Sequence, residues 1–317
     1  MVTNAPFLAR GSLRRGWKVH LYFQRKGIPH WSYTVERKAR NQFPRKSDLP
    51  SQSSKYWAKE KDRYLRQLLI SDIEEETGRE LVVYFSRLDQ QITETDADDF
   101  LEILDGVVFH EKNGLKTRKI DLMIHTLGGY VDAVDKFISV LRVSRCEYRV
   151  IIPSFAKSGG TLLALASEKI MMGVNSELGP IGPQITISDL GMVPAQFVQT
   201  DMSQPATYRK IAKAMFKRAQ TLATKYLREG MLKGSSAAEI GRVVRNLSSA
   251  TGYGSHGAVI DYPEACDLGL SVEWLPPDSD LWKRIWLLYC LYDADTIKDD
   301  LGKIFEGAVY SLQRKPL

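Results

Sequence analysis

Twice in this chain an apolar run stops at a glycine turn and gives way to a helical pattern. The first instance is Lys119-Ile-Asp-Leu-Met-Ile-His-Thr-Leu-Gly-Gly129, followed by a helical stretch over 131–143. The second is Tyr148-Arg-Val-Ile-Ile-Pro-Ser-Phe-Ala-Lys-Ser-Gly-Gly-Thr161, followed by a helical stretch over 158–168. A short apolar run bounded by turn residues reads as a buried strand, and strands alternating with helices imply an α/β domain with a largely parallel sheet. In such a sheet, sites gather where strands end and helices begin. The second turn presents a serine, Ser158, and the first presents paired glycines, Gly128 and Gly129. A hydroxyl beside glycine amides is what acyl transfer needs: one group attacks a carbonyl and backbone N–H groups hold the oxyanion.

The same alternation extends in both directions. Residues 56–76 carry a helical apolar stripe that Gly78 ends, and 80–85 read as a buried strand. A helix is expected from Thr95, as its N-cap, to about Phe109. Strands are expected at 120–126, 148–153 and 169–173, and a loop at Gly179-Pro-Ile-Gly-Pro183. Helices are expected at 207–229, 235–247, 279–293 and 296–312, with a small element over 263–270 leading to 272–275. The domain reading is a basic extension and linker over 1–54, a core over 55–275 and C-terminal helices over 276–317.

Charge is unevenly placed. Residues 1–50 hold 11 Lys+Arg against 2 Asp+Glu, leaving 33 and 36 for the remainder, so the net +6 belongs to the N-terminal segment. The alternating Trp17-Lys-Val-His-Leu-Tyr-Phe23 and Trp31-Ser-Tyr-Thr-Val35 read as a β-hairpin, and 41–54 as a polar linker. A solvated basic extension is favoured over a nucleic-acid-binding role for this segment. No apolar run approaches the ~20 residues that span a bilayer, and Met1–Arg10 lacks the apolar centre of a signal peptide. Cys146, Cys266 and Cys290 form no C-x-x-C pair and have no His/Cys cluster around them. Neither a zinc site nor a disulfide framework is expected, and a cytoplasmic location follows. No metal or cofactor is expected, and no G-x-G-x-x-G follows a strand.

Beyond these physical signals, His125-Thr-Leu-Gly-Gly129, Ala156-Lys-Ser-Gly-Gly-Thr-Leu-Leu-Ala-Leu-Ala166, Lys169-Ile-Met-Met-Gly173 and Ser176-Glu-Leu-Gly-Pro-Ile-Gly-Pro-Gln184 resemble the serine dehydrogenase proteinase family. That family belongs to the Clp-protease/crotonase fold superfamily and is related to signal peptide peptidase A. The resemblance runs from about Arg63 to Leu291, and includes Thr77-Gly-Arg-Glu-Leu-Val-Val-Tyr84, Ser255-His256 and Glu264-Ala265. It implies a Clp/crotonase-like α/β core, a soluble serine peptidase acting on peptides or proteins, and a homo-oligomer. Ser158 matches the nucleophile, and Gly129 and Gly159 match the residues whose amides form the oxyanion hole. The family's Gly-Pro-Ile-Asp-Pro-Gln stands here as Gly-Pro-Ile-Gly-Pro-Gln, with Gly182 in place of the acid, and the loop lacks the histidine that Clp proteases place there.

The general base has two candidates. Lys213 lies on a helical pattern with Lys210 and Lys217, and would need desolvation to bring its pKa toward neutrality. His256, in Gly254-Ser-His-Gly257, matches a family histidine and titrates near neutral pH without strong perturbation. It is the slightly favoured candidate. His125 is expected to be a packed or capping residue. Three other readings compete with a peptidase: a catalytically impaired Clp-fold scaffold or adaptor, a nucleic-acid-associated protein, and a crotonase-type acyl-CoA enzyme that would not need Ser158.

Overall fold

In a computed structural model the described residues are 54–107, 109–112, 115–188 and 191–316. The expected N-terminal hairpin and linker lie outside them. Five strands, Glu80–Ser86, Leu115–His125, Cys146–Ile152, Ile170–Met172 and Val272–Trp274, run parallel. Their order across the sheet is Val272–Trp274, Ile170–Met172, Cys146–Ile152, Leu115–His125, Glu80–Ser86. A parallel sheet is covered on both faces, so its strands are apolar without alternation. Leu81-Val-Val-Tyr-Phe85 and Leu122-Met-Ile124 are all buried.

Alternate side chains enter two separate cores. Val82, Tyr84, Leu122, Ile124, Val150 and Ile152 pack with helices Glu94–Leu104, Val131–Val143, Gly159–Leu165, Ala206–Glu229 and Ala237–Ser248. Leu81, Val83, Phe85, Met123, Ile151 and Met171 pack on the opposite face with helices Lys61–Thr77 and Asp280–Lys298. The aromatic load of the last helix is absorbed there, with Trp282, Ile285, Leu288 and Tyr292 buried.

The expected helix over 296–312 is absent. The helix ends at Lys298, and Lys303–Glu306 and Ser311–Arg314 are strands. Lys303–Glu306 adds antiparallel to Glu80–Ser86, with Val83 opposite Glu306 and Ser86 opposite Lys303, and Ser311–Arg314 adds outside it. Two charged residues in this segment conceal its strand character because both are buried and paired. Lys303 Nζ donates to both Asp96 carboxylate oxygens at 2.7 and 2.8 Å. Arg66 Nε donates to Glu306 at 2.7 Å, as does the Tyr292 hydroxyl. The helix expected to start at Thr95 begins at Glu94 and ends at Leu104, and its N-cap is Thr93, whose N–H donates to Asp96 at 3.1 Å. A hairpin, Gln184–Ile187 with Gly191–Pro194, follows the Gly179–Pro183 loop and was not anticipated. Residues 54–317 form one compact unit, within which the last helix and the last two strands complete the sheet and its cover.

Candidate active site

The strands Leu115–His125 and Cys146–Ile152 are parallel neighbours, with Met123 opposite Ile151, so their exit turns leave the same end of the sheet. The chain then stitches the turns together. Thr126 N–H donates to Phe155 O at 3.2 Å, and Lys157 N–H donates to Thr126 O at 3.0 Å. Gly128 lies at φ +96°, a region closed to most side chains. A Cβ on it would stand 2.6 Å from Gly159 N and 2.9 Å from Ser158 Cβ. Ile92 holds the other side of this turn, donating to Gly128 O at 2.8 Å and accepting from Tyr130 N–H at 3.1 Å.

Ser158 is half-buried at φ +50° and ψ −112°. A non-glycine residue held there costs about 1–3 kcal/mol and persists only where its surroundings over-determine it. The surroundings do so. Gly160 N–H donates to Lys157 O at 2.7 Å and Leu162 N–H to Ser158 O at 3.1 Å. The Thr161 hydroxyl lies 2.8 Å from both the Ala156 and Gly179 carbonyl oxygens. The Ser158 hydroxyl does not cap the helix that follows it. A Cβ on Gly159 would lie 3.1 Å from Gly129 N, so the two amides are neighbours. Among the described residues, neither of these N–H groups donates a hydrogen bond to the backbone.

The base candidates are placed differently. Lys213 is exposed on the outer face of Ala206–Glu229, as are Lys210 and Lys217, while Ala212, Ala219 and Leu222 face the interior. His256 is half-buried, hydrogen-bonded to the Gly182 backbone, and lines a small cleft with Pro183, Pro194, Gln196 and Ser248. Burial lowers its pKa, the Lys157 charge lowers it further, and the bond to Gly182 opposes both. Among the described residues no hydrogen bond joins Ser158 to either candidate. Gly182 has little room for the family's acid, because a Cβ would already meet Ser248 O at 3.1 Å.

His125 is packed away. Its ring lies 3.9 Å from that of Phe155, 4.5 Å from Phe85 and 5.0 Å from Tyr289. Burial depresses its pKa to about 3, and its Nδ1 has no hydrogen-bond partner among the described residues. Two site residues, Ile92 and Thr126, escaped sequence reasoning, and a third, Lys157, is discounted there because the side chains of adjacent residues diverge. Ile92 contributes through its backbone alone, so no side-chain signal existed. Thr126 receives Gly128 N–H at 3.0 Å, a local turn bond that a Thr before Gly-Gly could have suggested. Lys157 is buried although it is cationic. Its Nζ lies 3.1 Å from Gly257 O, from Ala258 O and from Glu177 Oε1.

No group of three or more His, Cys, Asp or Glu side chains among the described residues could hold a metal ion. No helix among them is long and apolar enough to cross a membrane.

Residues 66–296 match the sequence model of the ClpP-like SDH-type serine proteinases. Over 186 residues, 56% of this chain, the sequence is 33% identical to an uncharacterized protein of Methanocaldococcus jannaschii. A second uncharacterized protein of that organism is 46% identical over 66 residues, 21% of this chain. The chain spans 59% of the length of the first relative and 23% of the second. Among solved structures, ClpP1 from Listeria monocytogenes aligns over 67% of this chain and 96% of its own, with 17% identity and a TM-score of 0.38. The ClpP protease catalytic domain from Plasmodium falciparum aligns over 66% and 89%, with 11% identity and a TM-score of 0.37.

Proposed function

The chain belongs to the ClpP-like SDH-type serine proteinases, and on that footing we propose that it cleaves peptide bonds through an acyl-enzyme on Ser158. The observation that carries this reading is the Ser158 turn itself. The serine is held in a strained conformation, and the amide after it neighbours the uncommitted Gly129 amide. In the proposed reaction Ser158 Oγ attacks the substrate carbonyl and its proton passes to His256. The N–H groups of Gly129 and Gly159 hold the oxyanion, and His256 returns the proton to the leaving amine. His256 is preferred to Lys213 because it is partly desolvated and sits on a loop tied to the residue before the nucleophile. Lys213, exposed to water, lacks the environment that a lysine base needs. Substrate binding would bring Ser158 and His256 into register, since catalytic hydrogen bonds are often long before substrate arrives.

A fluorophosphonate probe tests the reading: it should label the full chain, and Ser158→Ala should abolish labelling without loss of fold. Equal labelling of both would remove Ser158 from the mechanism. The missing bond between Ser158 and any base favours a second reading, a Clp-fold scaffold, and an assembled protein that no probe labels would support it. A cytoplasmic homo-oligomer is part of the proposal, and a strict 35.9 kDa monomer in light scattering would contradict it.

A further inference from the structure

We propose that Lys157 is a positioning residue that clamps the His256-bearing loop onto the nucleophile turn. The inference rests on the reading in which His256 serves Ser158, and it concerns a side chain that no part of that chemistry uses.

The observations begin with burial. Lys157 is 7% exposed, an unusual condition for a lysine unless it is paired. An ammonium has three donors, and three acceptors surround this one: the carbonyls of Gly257 and Ala258 and the carboxylate of Glu177. With every proton engaged, Lys157 is poorly placed to be the base itself. Both carbonyls belong to the two residues that follow His256. The other end of the lysine is equally fixed, since its N–H donates to Thr126 O and its C=O accepts from Gly160 N–H. One residue therefore ties the exit of the strand that bears Gly128, the Ser158 turn and the His256 loop.

The route of the side chain is also built. Gly179 leaves room for the lysine stem, because a Cβ there would stand 2.6 Å from Lys157 Cδ. Past the clamp, the Leu178–Ile260 bridge secures the loop's far end through bonds of 2.9 and 3.0 Å. Between Gly254 and Ala258 the remaining bonds are that of His256 to the Gly182 backbone and local ones, from Gly254 N–H to Ala250 O, from Gly257 N–H to Ser255 Oγ and from Ala258 N–H to Ser255 O. Among the described residues Lys157 is thus the long-range hold on the loop backbone after His256, while the bond to Gly182 fastens the imidazole itself. It also acts by charge. Lys157 is the charged group that acts on His256, with Glu177 paired behind it. The facing cleft wall, Gly182, Pro183, Pro194, Gln196 and Ser248, carries no charge. The clamp therefore helps keep the imidazole neutral, the form that accepts a proton.

The test uses the full chain with Lys157→Met, which keeps the length of the stem and removes the donors. The second variant is Gly179→Ala, which crowds the stem while leaving the lysine in place. Hydrogen exchange read by mass spectrometry follows peptides covering 254–260 and 159–165, independently of activity. The pH dependence of fluorophosphonate labelling follows His256. In Lys157→Met, exchange in 254–260 should rise while 159–165 stays protected. Labelling should slow by about 10–100-fold, the scale of a displaced catalytic group. The acid limb of the profile should move to higher pH. Gly179→Ala should change each readout in the same direction by less, and it decides the question if Lys157→Met fails to fold. Unchanged exchange in 254–260 with an unmoved acid limb would overturn the proposal. General loss of protection in both peptides would overturn it as well, by reducing Lys157 to a stabilising residue. If wild type takes no label yet the 254–260 exchange responds as stated, the clamp stands and the peptidase reading fails.

Discussion

Gly128 and Ser158 approach so closely that a Cβ on the glycine would stand 2.9 Å from the serine Cβ. The closeness is backbone-made, and the same added atom would meet Gly159 N at 2.6 Å and Lys157 O at 2.7 Å. At φ +96° alanine is also strained. Gly128→Ala should therefore cost about 1–3 kcal/mol in urea unfolding and reduce fluorophosphonate labelling by at least tenfold. An alanine variant labelled at the wild-type rate would show that the two turns move independently.

The base assignment predicts opposite behaviour for two single variants. His256→Ala should lose labelling, on the order of 100-fold or more, and Lys213→Ala should keep it. The His256 pKa is lowered in the fold, by burial first and then by Lys157. Labelling in wild type should accordingly rise through a midpoint below the usual 6.5 of histidine. A midpoint on the alkaline side of neutrality would point to a lysine instead.

His125 predicts an acid-sensitive fold. Its ring is neutral inside the protein, with a pKa near 3 imposed by burial, against about 6.5 when unfolded. The stability this contributes is complete above pH 6.5 and is lost as the pH falls from there toward 3. The loss by pH 4 is about 3 kcal/mol for this group. His125→Phe would preserve the ring packing against Phe85 and Phe155 and remove the titration. The difference in unfolding free energy between pH 7 and pH 4 should shrink by that amount in the variant. Equal differences would mean that His125 can take up its proton without leaving the core.

The Arg66 cluster predicts a large, partly recoverable loss. Arg66 and Glu306 are both buried, and Asp295 shares the guanidinium. Arg66→Met should destabilise the chain by about 3–5 kcal/mol, because it strands buried carboxylates. Adding Glu306→Gln to that variant should restore part of the loss. Additive effects in chemical denaturation would show that the two residues do not act as a pair.

These residues also mark where the sequence was readable. Glycine turns closing apolar runs identified the parallel strands Leu115–His125 and Cys146–Ile152, since a strand buried on both faces needs an unbroken apolar run and Val131–Val143 needs only a helical stripe. The turns that carry Ser158, Gly129 and Gly159 were legible for the same reason, since a turn at a strand end announces itself in local sequence, whereas the roles proposed for these residues came from the family resemblance. The Lys303–Glu306 strand was not legible. Its terminal charges look like surface residues until Asp96 and Arg66, more than 200 positions away, are seen to receive them. The clamp role of Lys157 was obscure in the same way. Its meaning lies in two carbonyls about a hundred residues downstream, and backbone acceptors leave no trace in composition.

The pairing of Glu80–Ser86 with Lys303–Glu306 sets the timing of assembly. The inner strand is among the first described residues to be synthesised, and its antiparallel neighbour is among the last. Until residue 306 has left the ribosome, one edge of a hydrophobic strand remains unpaired, and Arg66 and Asp96 have no ionic partners from this strand. A nascent chain therefore carries an adhesive open edge from the emergence of Glu80–Ser86 until that of Lys303–Glu306. Delivery of Lys303–Glu306 and Ser311–Arg314 is the event that moves the sheet edge off this hydrophobic strand.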